Sequence, residues 1–588
     1  MRDGVKLFTS VFLPKDATEK HPILLMRTPY SCAPYGENNF RSNLWVSHLR
    51  HYARENYILV TQDVRGRWMS EGAFVDVRPF NPDKKTNQDI DEASDTYDAI
   101  DWMVKNLPNT NGNVGVMGIS YPGFYSTMAA LSGHPALKAV SPQAPVTDWF
   151  MGDDFHHNGA FMLMDAFSFY AGGFGYPRPA PTTVGPKEAL QLPENDNYET
   201  YLRVGALKNF MRLTGDSIKF WKDLYAHPNH DDWWKARNPR NFVGNIKPAM
   251  ITVGGLFDAE DCFGAWRLYE AIEKKNAPSA FNKLVMGPWF HGQWSWLDGT
   301  KLGHVQFGSN TSHYYQNNIE LPFFNYFLKG KGDISKLAEA TIFFSGANQW
   351  KQYAQWPPAN KADQALYLQP NGKLGWDKPT GKNSFSEYIS DPARPVPYTE
   401  DVHFNRTREY MTDDQRFASR RTDVLTFQTD ILSEDLMLGG TLVADLLTSI
   451  SGTDADFVVK LIDVFPDDFT YPGTARDAGA AYPMGGYQML VRGEVMRGRF
   501  RNSFETPEAF KPNKTERVKF ELPDVAHTFK KGHRLMIQVQ SSWFPLVDRN
   551  PQKFVNIYEA DDSDFQKAII RIFHDAANSS NIILPVLK

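Results

Sequence analysis

Apolar runs of strand length alternate with amphipathic runs through the first half of the chain. The segments 22–26 and 57–62 are mostly apolar and short enough for buried strands, whereas Ile100, Met103 and Leu107 lie at helical spacing. Strands that alternate with helices form a mainly parallel sheet covered by helices on both faces. The pattern therefore predicts an α/β fold for this half.

A long insertion interrupts the alternation. Between a strand that ends near Ser141 and the next one, which begins near Pro248, lie about one hundred residues, far more than one crossover helix needs. Within the insertion, the helical patches 201–213 and 217–225 are rich in aromatic residues. We interpret the insertion as a helical cap over the ends of the strands.

The pattern of apolar and turn-forming residues changes after about residue 340. Short runs rich in β-branched and apolar residues, such as 457–464 and 535–540, are separated by Gly, Pro and Asp, which predicts a β-sandwich. The predicted units are 1–145 and 241–340 for the two parts of the α/β domain, 146–240 for the cap and 341–588 for the β-sandwich domain.

The segment 114–123 has the local layout of a serine nucleophile. An apolar strand runs into Ser120, which glycines flank, and a helix of small residues follows. A serine on a sharp turn from strand to helix projects out of the sheet, and only small neighbours leave room for that turn. The usual pattern is Gly-x-Ser-x-Gly, but here Pro122 occupies the fifth place and Gly123 follows it. Since Gly-x-Ser alone is more often an ordinary turn, the assignment requires partners.

Two candidate partners follow in the order that such a nucleophile requires. Asp258 comes directly after the buried run 248–255, and His291 comes after the run 283–287. The order serine, acid, histidine, with each residue after a parallel strand, is that of α/β-hydrolases, whereas other serine-triad folds use other orders. We predict that Ser120 is the nucleophile, His291 the general base and Asp258 the acid that orients it.

These residues carry a family resemblance, together with Arg27-Thr28-Pro29-Tyr30 and the segment 63–67. The chain resembles the hydrolase family that includes cocaine esterase, α-amino acid ester hydrolases, glutaryl acylases and X-Pro dipeptidyl peptidases. Gly-x-Ser-Tyr-x-Gly is that family's own variant, and the later segments 423–427 and 541–545 extend the resemblance over nearly the whole length. The resemblance implies an α/β-hydrolase domain with an inserted helical cap and a C-terminal jelly roll.

Two donors are candidates for the oxyanion hole. The backbone N–H of Tyr121, the residue after the nucleophile, is one by geometry. The family resemblance implies that the Tyr30 hydroxyl is the second. A tyrosine after Thr-Pro is also a common loop anchor, so the residues alone leave both interpretations of Tyr30 open.

Three further acids stand close to these positions in sequence: Asp154, Glu260 and Asp261. Crowded carboxylates are stable only when they are protonated or when a cation lies among them, and a protonated α-amine is a suitable cation. The alternative is that Glu260 and Asp261 simply begin a helix, where acids suit the positive end of the helix dipole. Within the family the resemblance is closest to α-amino acid ester hydrolases, and it implies that these three acids bind the α-amino group of the substrate.

Composition restricts the other functions. The chain has 588 residues with 63 basic and 68 acidic side chains, a net charge of -5, and no concentrated basic run of the kind that nucleic acids require. No apolar stretch approaches 18 residues, so no membrane span is predicted. The oligomeric state is left open, a homo-oligomer included. The protein would be periplasmic or secreted if a leader were removed, and cytoplasmic otherwise.

Other candidate ligand groups have simpler interpretations. Adjacent histidines such as His156 and His157 point apart on most backbones, and no HExxH motif or cysteine-rich set accompanies them, so no metal and no cofactor are predicted. Cys32 and Cys262 do not make a disulfide framework, and two buried thiols are the default expectation.

The sequence thus predicts a serine hydrolase or acyltransferase that cleaves small-molecule esters of α-amino acids through an acyl-enzyme, with β-lactam amides of α-amino acids as a further candidate substrate. An X-Pro dipeptidyl peptidase, or another esterase or acylase of the family, is the alternative within this class. A glutaryl acylase ranks low, since the three acids would repel the carboxylate of its acyl chain. A non-catalytic binding protein on a hydrolase scaffold is disfavoured because the triad is complete.

Overall fold

The computed structural model describes residues 1–39, 47–186, 190, 192, 195–472 and 482–588. Within these residues the first sheet has nine strands, which we number in chain order. They are β1 Thr9–Phe12, β2 His21–Thr28, β3 Ile58–Asp63, β4 Thr110–Ser120, β5 Leu137–Pro145, β6 Ala249–Gly255, β7 Asn282–Gly287, β8 Ala340–Phe344 and β9 Gln349–Tyr353.

The sheet is parallel except at its two edges. Its spatial order is β1-β3-β2-β4-β5-β6-β7-β8-β9, and only β1 and β9 run antiparallel to their neighbours. Every residue of β3 and β6 is buried, as expected for strands covered on both faces. The carboxyl ends of β4, β6 and β7 meet at one edge, where open α/β sheets bind their ligands.

Helices cover both faces of this sheet. The α-helices of the described residues, in both halves of the chain, are α1 Leu49–Arg54, α2 Glu92–Asn106, α3 Tyr121–Ala130, α4 Leu163–Phe169, α5 Asn197–Val204, α6 Leu207–Thr214, α7 Lys219–Ala226, α8 Asp232–Ala236, α9 Cys262–Lys275, α10 Gln293–Trp296, α11 Thr311–Tyr315, α12 Leu321–Lys329 and α13 Arg416–Ser419. The helices α4 to α8 lie in the insertion between β5 and β6. Aromatic rings pack them together, as in the stacked pair Tyr170 and Phe220, whose centroids are 4.0 Å apart. None of the described helices is long and apolar enough to cross a membrane.

The first sheet continues beyond the boundary predicted at residue 340. Strand β8 pairs in parallel with β7, and β9 pairs with β8 as a hairpin, so the sheet ends at Tyr353. The hairpin of β8 and β9 thus belongs to the first sheet, although most of it lies in the segment predicted as 341–588. A run of strand-forming residues does not indicate which of two adjacent sheets it joins.

The C-terminal half is all-β, as the sequence predicts. Its strands are β10 Lys361–Gln369, β11 Lys373–Gly375, β12 Phe385–Ser390, β13 Leu425–Gln428, β14 Leu436–Ile450, β15 Asp456–Val464, β16 Gln488–Arg497, β17 Glu516–Phe529, β18 Arg534–Gln540, β19 Ala568–Phe573 and β20 Asn581–Leu587. Long antiparallel ladders join β14 to β17 and β15 to β16. Their inward side chains supply most of the core of this half.

Buried hydrogen bonds fix the β half against the α/β domain. Arg492 of β16, only 2% exposed, donates to the carbonyl oxygen of Leu256 at 2.8 Å and to that of Asp524 at 2.7 Å. Leu256 stands at the carboxyl end of β6, two residues before Asp258. The β half thus holds the loop that carries one of the predicted site residues.

We expect Arg492→Met to lower the melting temperature by several degrees. The variant leaves two buried carbonyl oxygens without donors, at a cost of about 1–3 kcal/mol for each group. Arg571→Met is the matched control on the same half, because Arg571 pairs with Glu387 at the surface, where an ion pair contributes about 0–1 kcal/mol. Thermal unfolding followed by circular dichroism measures both, and equal losses in the two variants would contradict the prediction.

Candidate active site

Ser120 lies on a strained turn between β4 and α3. Its backbone has φ 70° and ψ -128°, a conformation that is rare for a residue with a side chain, and α3 begins at the next residue. A Cβ on Gly118 would lie 2.5 Å from the carbonyl oxygen of Pro122, so only glycine fits there. Strain of this kind is typical of a nucleophile elbow.

The proline in the fifth place of the motif is compatible with this turn. Pro122 stands in the first turn of α3, where a missing N–H costs no helical hydrogen bond. Gly123 takes over the close approach, because a Cβ there would lie 2.6 Å from the carbonyl oxygen of Gln143. The close packing of α3 on β5 therefore requires glycine at Gly123, the sixth residue of the motif, and not at the fifth.

Asp258 and His291 are in direct contact. The Nδ1 atom of His291 lies 2.9 Å from Oδ2 and 3.1 Å from Oδ1 of Asp258. Asp258 also accepts hydrogen bonds from the backbone N–H groups of Glu260 and Asp261, at 2.8 and 3.1 Å. Burial alone would raise the pKa of Asp258, but His291 and these donors bring it below its ordinary value. Asp258 is therefore ionised and orients the imidazole ring.

The loop after β7 brings His291 towards the nucleophile turn. Gly292 follows His291, and a Cβ on it would lie 3.8 Å from a methyl carbon of Ile119, the residue before Ser120. The structure thus places Ser120, Asp258 and His291 at one edge of the sheet, and their catalytic roles stay a prediction.

Tyr30 lies beside Ser120. Its hydroxyl is close enough to the Ser120 side chain to influence the Tyr30 pKa, although 42% of the whole residue is exposed. Burial of the hydroxyl, and then the charge of Asp154, raise the pKa of Tyr30 well above its ordinary value. The hydroxyl therefore keeps its proton and can donate it in a hydrogen bond.

The loop of Tyr30 is anchored by a buried acid. Asp63, at the end of β3, accepts hydrogen bonds from the backbone N–H of Cys32 at 2.7 Å and from the hydroxyl of Tyr35 at 2.8 Å. The anchor is thus Asp63 with its donors, and Tyr30 itself is left to face Ser120.

The three predicted acids form a cluster beside the triad. The backbone N–H of Asp154 donates to the carbonyl oxygen of Glu260 at 2.9 Å, and the Asp154 carboxylate accepts a hydrogen bond from Trp149 Nε1 at 2.7 Å. Asp261 is fully buried, and its two carboxylate oxygens have no hydrogen-bond partner among the described residues. Although Asp261 stands at the start of α9, its side chain makes no capping hydrogen bond. A helix-capping role therefore does not explain this acid.

Crowding changes the charge of the cluster. Burial, followed by the proximity of Asp154, raises the pKa of Asp261 well above its ordinary value. Burial, followed by Glu260, raises the pKa of Asp154 to about 7. Near neutral pH the cluster therefore retains protons that an incoming cation would displace.

Glu260 contacts two cationic groups. Its Oε2 atom lies 3.3 Å from Nε2 of His291, and its Oε1 atom accepts a hydrogen bond from Nη2 of Arg406. Arg406 comes from the β half, between β12 and β13, and its Nε donates to Asp165. The sequence analysis did not find Arg406, Asp165 or Trp149. No local pattern distinguishes them, since Arg406 meets Glu260 from 146 positions away in the chain.

The two histidines and two cysteines considered above have separate environments. Nδ1 of His156 bonds to the carbonyl oxygen of Trp149, whereas Nδ1 of His157 pairs with Glu494. In the described part of the chain, no group of three or more His, Cys, Asp and Glu side chains is arranged to hold a metal ion. Cys32 and Cys262 are both buried and form no disulfide with each other.

Comparison with known families covers both halves of the chain. Residues 3–293 match the family described as X-Pro dipeptidyl-peptidase (S15 family). Residues 333–583 match the family described as X-Pro dipeptidyl-peptidase C-terminal non-catalytic domain.

Individual relatives match over the full length. The structure of an aminopeptidase from a marine sediment archaeon, Thaumarchaeota archaeon, has a TM-score of 0.91 at 38% identity and covers 100% of this chain and 95% of that chain. The structure of an α-amino acid ester hydrolase labelled with selenomethionine has a TM-score of 0.91 at 37% identity, with the same coverage. Cocaine esterase of Rhodococcus sp. (strain MB1 Bresler) is 27% identical, over 100% of this chain and 97% of that protein.

We expect Tyr30→Phe to lower kcat for ester hydrolysis by about 10²–10³, the usual loss for one oxyanion donor. The substitution removes only the hydroxyl beside Ser120 and leaves the ring contacts with Tyr121 and Phe174 in place. The melting temperature should therefore stay close to that of the wild type. Steady-state kinetics decide the matter, and wild-type turnover in this variant would refute the role.

Proposed function

The chain belongs to the S15 family of X-Pro dipeptidyl-peptidases and is a serine hydrolase, and we propose that it cleaves esters and amides whose acyl group is an α-amino acid. The observation that carries the proposal is the acidic cluster of Asp154, Glu260 and Asp261 beside the candidate nucleophile. Asp261 is the clearest member, because it is buried with both carboxylate oxygens unpartnered among the described residues. An ammonium group supplies the charge and the N–H donors that such a site lacks.

The position of the cluster favours an amino group next to the scissile carbonyl. Glu260 Oε2 lies 3.3 Å from the His291 nitrogen that is to accept the Ser120 proton, so the acids stand beside the reacting atoms. In an α-amino acyl group one carbon atom separates the nitrogen from the carbonyl carbon. In a dipeptidyl substrate one more residue intervenes, about 3.5 Å of extended chain. The short distance supports an α-aminoacyl substrate.

Catalysis then proceeds by acyl transfer. His291 Nε2 takes the hydroxyl proton of Ser120 while Oγ forms a bond to the carbonyl carbon, and Asp258 stabilises the imidazolium. The backbone N–H of Tyr121 and the hydroxyl of Tyr30 bind the oxyanion. The bond to the leaving alcohol or amine breaks as His291 returns the proton to it, which gives an α-aminoacyl ester of Ser120. Water, or an amine acceptor, releases the acyl group in the reverse sequence.

The named relatives agree with this substrate class. An aminopeptidase and an α-amino acid ester hydrolase each match at nearly 40% identity over the full chain, and both names denote substrates with an amino group next to the cleaved carbonyl. β-Lactam amides of α-amino acids belong to the same class of acyl donor.

An X-Pro dipeptidyl peptidase is the second candidate, and the match of residues 3–293 to that family favours it. It also requires a free amino terminus, which the cluster would bind. Hydrolysis of an X-Pro anilide, compared with that of an aminoacyl anilide, separates the two candidates. A glutaryl acylase remains disfavoured, because its acyl carboxylate would meet the three acids.

We expect kcat/KM for an α-amino ester to exceed that for its des-amino analogue by at least about 100-fold, because the analogue leaves the buried acids unpaired. The preference should decline above pH ~8, where the α-amine loses its proton. Equal rates for the two esters would contradict the proposal.

Asp154→Asn provides the matched test of the cluster. Asparagine keeps an oxygen that can accept the hydrogen bond from Trp149 and removes only the charge. We expect kcat/KM for the α-amino ester to fall about 30-fold or more, which corresponds to the ~2 kcal/mol lower limit for breaking a buried charge pair. The des-amino ester should lose much less, and parallel losses for both esters would point to a merely structural role for Asp154.

A further inference from the structure

Both ring nitrogens of His291 contact carboxylates. Nδ1 lies 2.9 Å from Asp258 Oδ2, and Nε2 lies 3.3 Å from Glu260 Oε2. The contact at Nδ1 is a hydrogen bond, which an ionised carboxylate can only accept, so Nδ1 carries its proton. The contact at Nε2 is a charge contact, and it favours a proton on Nε2 as well. With both protons the ring is an imidazolium and has no lone pair for the Ser120 proton.

The charges around His291 favour that protonated ring. Asp258 and Glu260 are in contact with the ring, and Asp261 Oδ2 lies 3.9 Å from Nδ1. The negative charge of Asp154 also raises the pKa of His291. Two cationic side chains of the neighbouring β-half loop are paired with other groups. Arg406 holds Glu260 and Asp165, and the guanidinium of Arg408 lies over the ring of Phe290 at 4.7 Å from its centroid.

The balance of these charges is one-sided. Burial would lower the pKa of His291, but Asp258 and then Glu260 overcome it and raise the pKa to about 9. Below that pH the free enzyme therefore holds its base mostly in the protonated form, and the neutral ring becomes dominant only above it.

We propose that Glu260 blocks the general base in the free enzyme and that the ammonium group of the substrate releases it by pairing with Glu260. The proposal rests on the α-aminoacyl function proposed above and adds to it the means by which substrate charge switches on the chemistry. When the ammonium lies among Asp154, Glu260 and Asp261, it neutralises Glu260 and places a second cation near the imidazolium. Nε2 then gives its proton to solvent, and its lone pair becomes available for the hydroxyl proton of Ser120.

Arg406 is a positioning residue in this arrangement. Its Nη2 binds Oε1 of Glu260, and its Nε binds Asp165, so the side chain of Glu260 is held with Oε2 towards His291. Arg406 thus leaves one Glu260 oxygen for the exchange between imidazolium and substrate.

Selectivity follows at two stages. A des-amino ester lacks the contacts of the ammonium group, and it also leaves the base protonated after it binds. The pH dependence of kcat reports ionisations in the enzyme–substrate complex. As the pH is lowered, kcat should therefore begin to fall near pH 9 for the des-amino ester, but only well below pH 9 for an α-amino ester.

Glu260→Gln tests the blocking contact with opposite effects on two substrates. Glutamine keeps the shape and removes the charge, so the titration of His291 should move down by about 1–2 pH units. At pH 7 the variant should then hydrolyse the des-amino ester about 10- to 50-fold faster than the wild type, since each pH unit is tenfold in neutral base. It should hydrolyse the α-amino ester more slowly, because it has lost an ammonium contact. A merely structural role would lower both rates.

Glu409→Gln is the matched control. Glu409 lines the cavity beside Phe290 and makes a hydrogen bond with the backbone N–H of Arg408, so the control removes one nearby negative charge that does not touch His291. Its rates with both esters should equal those of the wild type.

Ammonium chloride tests the release without any substitution. At pH 7, NH4+ should occupy the space that the missing amino group leaves and accelerate des-amino ester hydrolysis by the wild type, whereas sodium chloride at equal ionic strength should not. Glu260→Gln should be insensitive to NH4+. Des-amino hydrolysis by Glu260→Gln that is no faster than wild type overturns the blocking contact, and a wild type that does not respond to NH4+ overturns its release by a cation. Neither result depends on the ratio of α-amino to des-amino rates in the wild type, which by itself decides the proposed function.

Discussion

An excess of negative charge beside His291, the proposed general base, is the constraint that governs this site. Asp258 and Asp261 are buried, Asp154 is half-buried, and Glu260 joins them at 3.3 Å from His291. Acids brought this close must take up protons, pair with a cationic side chain of the protein or bind a cation from solution. All three solutions occur within a few ångströms: Asp261 tends to stay protonated, Arg406 is the cationic side chain on Glu260, and the proposed substrate supplies the cation from solution. Recognition and catalysis are then two outcomes of one charge balance.

The β half takes part in that balance. Its Arg406 fixes Glu260, and its Arg492 fixes the backbone at Leu256, close to Asp258. His157 of the insertion between β5 and β6 is paired with Glu494 of β16, which adds another contact near the same edge. Residues 333–583 match a family described as a non-catalytic domain, and the proposed triad lies outside them. The electrostatic environment of those groups, however, is built from both halves.

The sequence predicts those parts of the site that local rules determine. A serine between glycines at a strand end and the order of Ser120, Asp258 and His291 follow from turn sterics and sheet topology, and the structure brings these residues to one edge. Arg406 and Asp165 were not predictable, because only tertiary packing brings them to Glu260 and no spacing in the chain reveals it. The sheet that the hairpin of β8 and β9 joins was not predictable for a related reason, since its residues resemble strands of either sheet. The clustering of Asp154 with Glu260 and Asp261 came from the family resemblance and not from the residues alone.

The guanidinium that crosses from the β half to Glu260 has a consequence for protein engineering and for evolution. Recombination that joins the first half of one relative to the second half of another would leave every reacting atom unchanged and still alter the proton affinity of the histidine. Substitutions in loop residues far from the nucleophile in sequence can therefore change the selectivity for acyl donors. In a chimaera, the charges at the contact between the two halves must match, as well as the shapes of the two surfaces.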